Sequence, residues 1–334
     1  MPLKLQIAGK TDVGLVRSGN EDYLYLDKQH DVYAVCDGMG GHQAGEVASM
    51  TAAQILESCF ANIHEELLAD PDLSLGQSFP RSGELLVKAV RLANRAIYNL
   101  AAADPTKSGM GTTVVAVAPE EDYLSIVHVG DSRAYRLDEK RLTPLTTDHS
   151  WVTEMRKEHA VSEEEALTMV GKNVITRALG VKDTVEVDYR LIKIEPNQTF
   201  ILCSDGLCGF ATDQEIFDIA DRARGSIDHI TNDLIQAAND RGGSDNVTVV
   251  VLRTLDVGRS NYSAIDAVTL PAEDKQQLAA EDGWVKRIND AIAQVDTIIG
   301  RSDVDSGGGR RWLLLIFALF VAVAVVLVFW SSQR

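Results

Sequence analysis

The sequence predicts an α+β protein in which long helices pack outside antiparallel sheets. Two observations lead to this class. Short runs rich in β-branched residues follow one another with tight turns between them, as in hairpin-linked strands. Between the groups of strands lie long segments whose apolar residues recur at helical spacing. Residues 1–255 form the predicted domain and are long enough to bury a core.

The predicted strands are short and apolar. The first of them, 32–36, is followed by Asp37-Gly38, which signals a turn. Residues 185–189 alternate apolar and charged side chains and predict a half-exposed strand. The remaining predicted strands are 112–118, 123–129, 134–137, 199–203 and 247–252.

Four helices are predicted within the domain, at 46–64, 84–103, 213–222 and 227–239. Residues 150–182 are dense in Glu, Lys and His and poor in large apolar residues. We expect them to form a weakly packed surface flap with short helices.

The segment 256–309 is predicted to be a connector with an amphipathic helix. Its apolar stripe is expected to pack against the domain or a membrane, and dimerisation through it is the less favoured alternative. The stripe comprises Trp284, Ile288, Ile292, Val295 and Ile299. A glycine-rich joint, Ser306-Gly307-Gly308-Gly309, closes the connector.

Composition excludes some functions. The 334 residues carry a net charge of −17, which disfavours binding to nucleic acid phosphates. The cysteines show no secreted disulfide framework and are expected to be free thiols in a reducing cytosol; they are Cys36, Cys59, Cys203 and Cys208. The first residues lack the apolar core of a signal peptide, so we expect the catalytic part to stay in the cytoplasm.

Residues 312–330 predict a single transmembrane helix. The 19 residues contain no charged side chain, and a helix of this length spans about 28 Å, close to the hydrocarbon thickness of a bilayer. Trp312 and Trp330 suit the two membrane interfaces. Arg310-Arg311 precede the helix and favour a cytoplasmic catalytic domain.

Acidic residues recur in turns beside glycine, serine or asparagine, and most of these turns adjoin apolar strands. A carboxylate at the end of a buried strand is costly unless a cation neutralises it. Carboxylate and carbonyl oxygens are the ligands that Mg²⁺ and Mn²⁺ prefer. The turns are Asn20-Glu21-Asp22, Asp37-Gly38-Met39-Gly40-Gly41, Ser204-Asp205-Gly206 and Ser244-Asp245-Asn246.

At these residues the chain resembles the type 2C protein phosphatases, the metal-dependent Ser/Thr phosphatases, in their bacterial form. The resemblance covers about residues 5–255 and rests on separate motifs in the family's order. These are Arg17-Ser18-Gly19-Asn20-Glu21-Asp22, Asp37-Gly38-Met39-Gly40-Gly41-His42, Ser108-Gly109-Met110-Gly111-Thr112-Thr113, Gly130-Asp131-Ser132-Arg133, Thr147-Asp148-His149-Ser150, Ile175-Thr176-Arg177-Ala178-Leu179-Gly180, Ser204-Asp205-Gly206-Leu207 and Ser244-Asp245-Asn246-Val247-Thr248.

The resemblance implies a four-layer fold, with a central antiparallel β-sandwich and helices on both outer faces. It also implies two Mn²⁺ or Mg²⁺ ions, with a looser third. Asp37 is expected to bridge two ions, the Gly38 carbonyl to bind one, and Asp205 with Asp245 to complete the first site. Glu21, and Asp22 near it, should hold the second ion largely through water, Asp131 the third together with Asp205, and Arg17 the substrate phosphate.

The general acid is the point where the sequence departs from the eukaryotic pattern. Met39 follows Asp37-Gly38 where those members have His, so His42 is the candidate proton donor. A purely structural role for His42 in the turn has equal weight. Asp131 likewise has an alternative role, capping the turn before Ser132. His149 is expected to stabilise the turn that enters the flap, and His159 to be solvated.

The expected activity is hydrolysis of phosphoserine and phosphothreonine in proteins by a water that bridges two metal ions. The expected partners are phosphorylated proteins and a membrane Ser/Thr kinase that acts on the same substrates. The alternative is a catalytically inactive, membrane-tethered binding module. A phosphatase for an anti-sigma-factor antagonist is a less favoured substrate assignment, because such relatives usually carry their membrane segment before the phosphatase domain.

Overall fold

The computed structural model describes residues 3–41, 43–75, 79–159 and 174–302. The described strands are β1 (Lys4–Asp12), β2 (Asp22–Asp27), β3 (Val32–Met39), β4 (Gly111–Thr112), β5 (Val114–Glu120), β6 (Tyr123–Val129), β7 (Arg133–Leu137), β8 (Leu142–Pro144), β9 (Val187–Lys193), β10 (Thr199–Cys203), β11 (Val247–Asp256) and β12 (Ile265–Leu270). The described α-helices are α1 (Gln43–Ala61), α2 (His64–Ala69), α3 (Arg81–Ala103), α4 (Trp151–His159), α5 (Asp205–Cys208), α6 (Asp213–Arg222), α7 (Ile227–Asp240) and α8 (Lys275–Ser302).

Two antiparallel sheets form the centre of the fold. One has the order β1-β11-β10-β7-β8, and the other has the order β12-β9-β6-β5-β3-β2 with β4 beside β3. Their inner faces meet in a core to which Tyr33 and Val35 contribute from one sheet and Phe200 and Leu202 from the other. The predicted α+β class with antiparallel sheets is confirmed.

Helices cover both outer faces of the two sheets. Helices α1 and α3 pack on the larger sheet, and α6 and α7 pack on the smaller one. Along β3, Tyr33 and Val35 point into the sandwich while Val32, Ala34 and Cys36 point at the helices. Because both faces of β3 are covered, the strand is a continuous apolar run.

Strand β3 is longer than the sequence predicts. The expected turn at Asp37-Gly38 is wrong, because both residues belong to β3 and Gly38 pairs with Thr112 of the short strand β4. The predicted strand 112–118 is in turn divided into β4 and β5. Thr113 lies at the division, where its N–H donates to the Asp37 carbonyl at 2.8 Å. The longer β3 carries Asp37 to the edge of the sandwich.

The helix positions agree with the predictions to within a few residues at most ends. Helix α6 occupies the predicted range, and a capping box between Thr212 and Glu215 defines its start. The predicted helix 46–64 is in fact two helices. α1 ends at Ala61 and α2 begins at His64.

The chain continues beyond residue 255 as part of the described fold. Strand β12 pairs with β9 at the edge of the larger sheet, and α8 packs against α3. Trp284 and Ile288 of the predicted stripe are buried there, and Trp284 Nε1 donates to Asp70 Oδ2 at 2.7 Å. The side chains of Ile292, Val295 and Ile299 lie outside the described part.

Within the described ranges, no helix combines the length and the apolar character needed to cross a membrane. The predicted transmembrane helix 312–330 and the joint at 306–309 lie outside those ranges. Of the predicted flap, the structure describes α4 and residues 174–182. The domain boundaries at 255 and 309 stay predictions.

Candidate metal centre

Asp37 lies at one end of the sandwich, and its backbone is firmly held. Its carbonyl accepts hydrogen bonds from the Thr113 N–H at 2.8 Å and from Thr112 Oγ1 at 2.9 Å. Its own N–H donates to Thr113 Oγ1 at 3.1 Å. These bonds fix the point from which the Asp37 carboxyl group leaves the sheet.

Asp22 is paired with Asp37 across β2 and β3, and its carboxylate reaches toward the other sheet. Ser204 Oγ, just beyond the end of β10, donates to Asp22 Oδ2 at 2.7 Å, and the Thr248 hydroxyl of β11 also binds this carboxylate. Asp22 is only 6% exposed. It therefore joins the two sheets from inside rather than lying at the surface beside Glu21.

Asp205 begins helix α5 directly after β10, and its side chain is hydrogen-bonded to the carboxyl group of Asp37. The next residue, Gly206, has no space for a side chain. A Cβ there would lie 1.8 Å from the carbonyl oxygen of Asn246. The turn that carries Asp205 is thus packed backbone to backbone against the turn that carries Asp245.

Asp245 pairs with Arg17, a residue 228 positions away in the sequence. Nη2 of Arg17 lies 2.9 and 3.0 Å from the two carboxylate oxygens, and Nη1 lies 3.8 Å from Glu21 Oε2. The Arg17 side chain is 46% exposed. A guanidinium with open donors therefore stands beside the acidic cluster.

Asn246 holds the loop that carries Arg17 and Glu21. Its Oδ1 accepts from the Glu21 N–H at 2.8 Å, and its Nδ2 donates to the carbonyls of Val13 and Gly19, both at 2.9 Å. The side chain of Asn246 therefore orders the loop 13–21, a role that sequence reasoning did not find.

Glu21 and the Gly38 backbone lie close together at the start of α1. The Gly38 N–H donates to the Glu21 carbonyl at 3.0 Å. A Cβ on Gly45 would lie 2.7 Å from Glu21 Oε1 and 2.9 Å from the Gly38 carbonyl carbon. The Glu21 carboxylate and the Gly38 carbonyl therefore lie on either side of the same small space, as expected of two groups in one metal centre.

Asp131 approaches the cluster from the end of β6. It is 7% exposed, and its Oδ1 is buried with no hydrogen-bond partner among the described residues. Burial first, and then the charge of Asp205, raise its pKa to about 7. An unpartnered carboxylate oxygen in this position fits a cation ligand.

The pKa values of the other buried carboxyl groups are raised in the same way. Burial, followed by the charge of Asp22, raises the pKa of Asp37 well above its ordinary value. Burial raises the pKa of Asp22 to about 7, and burial together with the charge of Asp245 raises the pKa of Asp205. Such carboxylates are stable as anions only beside a cation. An all-oxygen donor set of this kind fits Mg²⁺ or Mn²⁺.

A second cluster of residues of the kinds that bind metal ions lies nearby. In the described residues, His128, His149 and Asp188 bring three ligand atoms within 4.8 Å of one another. His149 Nδ1 already accepts the Gly130 N–H at 3.0 Å, and its Nε2 lies 3.1 Å from Asp188 Oδ2. With Nδ1 accepting, the neutral ring carries its proton on Nε2. His149 and Asp188 are therefore committed to protein hydrogen bonds, whereas both ring nitrogens of His128 are buried without a hydrogen-bond partner among the described residues.

Most of the predicted site residues meet at this end of the sandwich. The structure brings together Arg17, Glu21, Asp22, Asp37, Gly38, Asp131, Asp205 and Asp245. His42 and the side chain of His159 lie outside the described residues. Ser204 was missed, although its place before Asp205 in a turn was a usable signal.

Comparisons with known proteins identify the family. Residues 17–244 match the family Protein phosphatase 2C. The serine/threonine phosphatase stp of Listeria welshimeri is 35% identical over 246 residues, which cover 73% of this chain and 93% of that protein. The serine/threonine protein phosphatase PstP of Mycobacterium tuberculosis is 33% identical over 330 residues, 97% of this chain and 60% of that longer protein.

A comparison with solved structures indicates the same class of protein as these two relatives. The catalytic domain of the serine/threonine protein phosphatase PstP, crystallised with two manganese ions, is 33% identical with a TM-score of 0.64, covering 76% of this chain and 100% of that one. The fold and the acidic centre define a metal-dependent Ser/Thr phosphoprotein phosphatase. The chain belongs to the protein phosphatase 2C family.

Proposed function

We propose that this chain removes phosphate from phosphoserine and phosphothreonine in proteins at the end of the sandwich where Asp37 and Asp205 meet. One observation carries the proposal. Buried carboxylates from both sheets converge there, and the partly exposed guanidinium of Arg17 stands beside them. Such a site attracts divalent cations and, with them, a phosphate dianion.

The proposed cofactors are Mn²⁺ or Mg²⁺. When bound, two such ions lower the pKa of a shared water that attacks phosphorus, and they neutralise the phosphate charge. The residues that would hold them are Asp37 between the ions, Asp205 and Asp245 with the first, the Gly38 carbonyl with one of them, Glu21 and Asp22 with the second, and Asp131 with Asp205 at a looser third site.

Arg17 would bind the phosphate oxygens of the substrate. Its planar guanidinium offers parallel donors that match phosphate, and it has open donors because its side chain is only partly engaged. Asp245 orients this group through the contact at 2.9 Å. The proton for the leaving hydroxyl would come from His42, whose ordinary pKa suits donation near neutral pH.

Hydrolysis of a phosphothreonine peptide by the full-length chain tests the proposal. We expect Mn²⁺-dependent release of phosphate that Asp37→Asn and Asp205→Asn each remove. Asp228→Asn on the exposed surface of α7 is the matched control and should keep full activity. Full activity in Asp37→Asn would overturn the proposal. Peptide binding without turnover in the unmodified chain would favour the inactive binding module instead.

We also propose that residues 312–330 anchor the enzyme in the cell membrane as a single span, with the catalytic domain in the cytoplasm. The support for this proposal is the sequence of the segment, 19 residues without a charged side chain and long enough to cross the hydrocarbon layer. The flanking Trp312 and Trp330, and Arg310-Arg311, suit the proposed orientation.

A tether of this kind raises the local concentration of the enzyme near membrane substrates. A membrane Ser/Thr kinase and the proteins that it phosphorylates are the proposed partners. Deletion of 310–334 should release the protein from the membrane fraction and leave phosphopeptide hydrolysis intact, whereas deletion of 331–334 should change neither membrane attachment nor hydrolysis. Retention of the longer deletion in the membrane fraction would contradict the anchor.

A further inference from the structure

His149 makes two hydrogen bonds to a single glycine, Gly130, which directly precedes Asp131. The His149 N–H donates to the Gly130 carbonyl at 2.8 Å, and the Gly130 N–H donates to His149 Nδ1 at 3.0 Å. Gly130 has φ +116°, and a Cβ there would lie 2.6 Å from Thr113 Cβ. The backbone that aims Asp131 is therefore held by one histidine in a conformation that other residues rarely adopt.

The ring of His149 is itself fixed in orientation. Its second nitrogen, Nε2, lies 3.1 Å from Asp188 Oδ2 and 3.0 Å from Arg177 Nη1, and Asp188 is held by Arg177 at 2.9 Å and by Thr269 at 2.8 Å. The ring also stacks on His128 with centroids 4.7 Å apart. Because both nitrogens and one face are engaged, the ring is held in a single position.

The backbone of His149 extends this arrangement toward the base of the flap. The Thr176 N–H donates to the His149 carbonyl at 2.9 Å, and Ser150 forms a β-bridge with Ile175. The preceding residue, Asp148, makes a two-point ion pair with Arg133 at 2.8 and 2.7 Å. His149 is therefore the residue at which the base of the flap and the Asp131 turn are joined.

We propose that His149 is a positioning residue for Asp131. Through Gly130, His149 couples the base of the flap to the looser metal site. The inference rests on the proposed metal role of Asp131. The Asp131 carboxylate has a buried oxygen without a hydrogen-bond partner among the described residues, so its direction is set by the backbone before it. The His149 N–H holds the carbonyl of Gly130, and the acceptor at His149 Nδ1 holds its N–H, so both sides of that backbone are fixed. Removal of such a supporting contact typically lowers metal affinity about 10- to 100-fold.

A pair of substitutions in the full-length chain tests the acceptor. In His149→Asn, Oδ1 stands at the same bond distance from the backbone as Nδ1 and can accept the Gly130 N–H. In His149→Gln, the oxygen is one bond farther away and cannot. The first measurement is Mn²⁺ titration of the metal-depleted protein by calorimetry. The second is hydrogen exchange of the Gly130 amide without metal. His229→Gln, at an exposed position on α7, is the control.

We expect His149→Gln to weaken the weakest Mn²⁺ binding step about tenfold or more. We also expect its Gly130 amide to exchange about tenfold faster or more. His229→Gln should stay within about twofold of the unmodified chain in both measurements, and His149→Asn, which keeps the acceptor but not the contact with Asp188, should be affected clearly less than His149→Gln. Asp188→Ala, which leaves His149 in place but frees its ring, should weaken the same step and provides a second variant.

Equal Mn²⁺ binding by His149→Gln and His149→Asn would overturn the inference. It would also fail if Asp131→Asn left the weakest binding step unchanged, because Asp131 would then hold no ion. Neither measurement uses catalysis. A chain that bound Mn²⁺ as expected but released no phosphate from peptides would therefore contradict the proposed function and leave this inference standing.

Discussion

Asp22 and Asp37 lie directly opposite each other on the antiparallel strands β2 and β3. Directly paired residues point to the same side of a sheet, so two carboxyl groups stand together at the edge of a buried core. Burial and the charge of Asp22 hold the pKa of Asp37 well above its ordinary value. The fold therefore keeps in place a group of acids that destabilises the metal-free protein.

The first prediction is that Asp37→Asn makes the metal-free protein more stable while abolishing its activity. At neutral pH, folding raises the pKa of Asp37, which costs stability, and a neutral amide of the same shape avoids this cost. We expect the melting temperature in EDTA to rise by about 2–4 °C at pH 8, equivalent to about 1 kcal/mol in a domain of this size. Phosphopeptide turnover should fall at least about 100-fold.

The sign of this effect with pH follows from the raised pKa. Near pH 4 the unfolded chain carries the proton on Asp37 about half of the time, so the advantage of the amide should shrink there. Calorimetric unfolding at the two pH values measures the difference. A lower melting temperature for Asp37→Asn than for the unmodified chain at pH 8 in EDTA would contradict the account of the site.

The second prediction is that Arg17→Ala strengthens the binding of Mn²⁺ and weakens the binding of the phosphopeptide substrate. Its guanidinium binds Asp245 and lies near Glu21, so it partly neutralises the acidic centre. Without it, Mn²⁺ should bind up to about fivefold more tightly, in keeping with the modest energy of a half-exposed ion pair. The KM for a phosphothreonine peptide should rise at least about tenfold.

Calorimetric Mn²⁺ titration and steady-state kinetics measure the two effects of Arg17→Ala separately. Arg241→Ala serves as the control, because Arg241 makes a comparable ion pair with Glu215 on the surface of the smaller sheet's helices. Weaker Mn²⁺ binding together with an unchanged KM would show that Arg17 is a structural residue of the metal site and not a phosphate ligand.

The third prediction concerns Gly38→Ala. A Cβ at this position would lie 2.1 Å from the carbonyl oxygen of Gly45 and 2.6 Å from that of Glu21, and neither backbone atom can move without shifting α1 or the 13–21 loop. We expect a loss of about 3 kcal/mol in the free energy of unfolding, at the upper end of the usual range for overpacked sites, because both clashing atoms belong to the backbone. Chemical denaturation measures it.

Gly19→Ala is the matched control for this substitution. Gly19 belongs to the same loop as Glu21, and a Cβ there would meet no atom within 4 Å. We expect its free energy of unfolding to change by less than about 0.5 kcal/mol. Similar losses for both alanine variants would show that the close approach of β3 and α1 at Gly38 does not limit the fold.

The fourth prediction is a pH-dependent contribution of Glu281, which lies on α8 and is 1% exposed. Burial, and next the charge of Glu273, raise its pKa to about 8, although Arg91 opposes the shift. A raised pKa means that the stability contributed is present below the unfolded value near 4.5 and is lost as the pH rises toward 8.

We therefore expect Glu281→Gln to melt at least about 3 °C higher than the unmodified chain at pH 8.5 and within about 1 °C of it at pH 4. Thermal unfolding followed by circular dichroism measures both differences. Glu66→Gln, at an exposed position on α2, should change neither. A pH-independent difference for Glu281→Gln would mean that its carboxyl group does not change protonation in this range.

The parts of the fold that could be predicted are those set by patterns within a few neighbouring residues. The run 32–36 is apolar on both faces because β3 is covered on both sides, and the capping box at Thr212 marks the start of α6. The missed features depend on distant partners. Gly38 belongs to β3 because it pairs with Thr112, and no property of Asp37-Gly38 by itself reveals that partner.

The same distinction holds for the site. The sequence identified the acidic turns because carboxylates beside strand ends and glycines are costly without a cation. It did not reveal that Asp22 turns inward to Ser204, a residue 182 positions away. Nor did it reveal that His149 holds the glycine before Asp131. These contacts depend on how the two sheets pack, which is not a local property.

By itself, then, the amino-acid order determined the α+β class and the kinds of ligand atoms, because periodicity and turn chemistry act over a few residues. The ordered motifs carried the resemblance to the family. Only the tertiary structure decided which strand ends meet, that Arg17 lies against Asp245, and that the flap base is tied to Asp131 through His149. The physical reason is that such contacts form only after two sheets bury their apolar faces against each other. Many different polar pairs are compatible with the same local pattern.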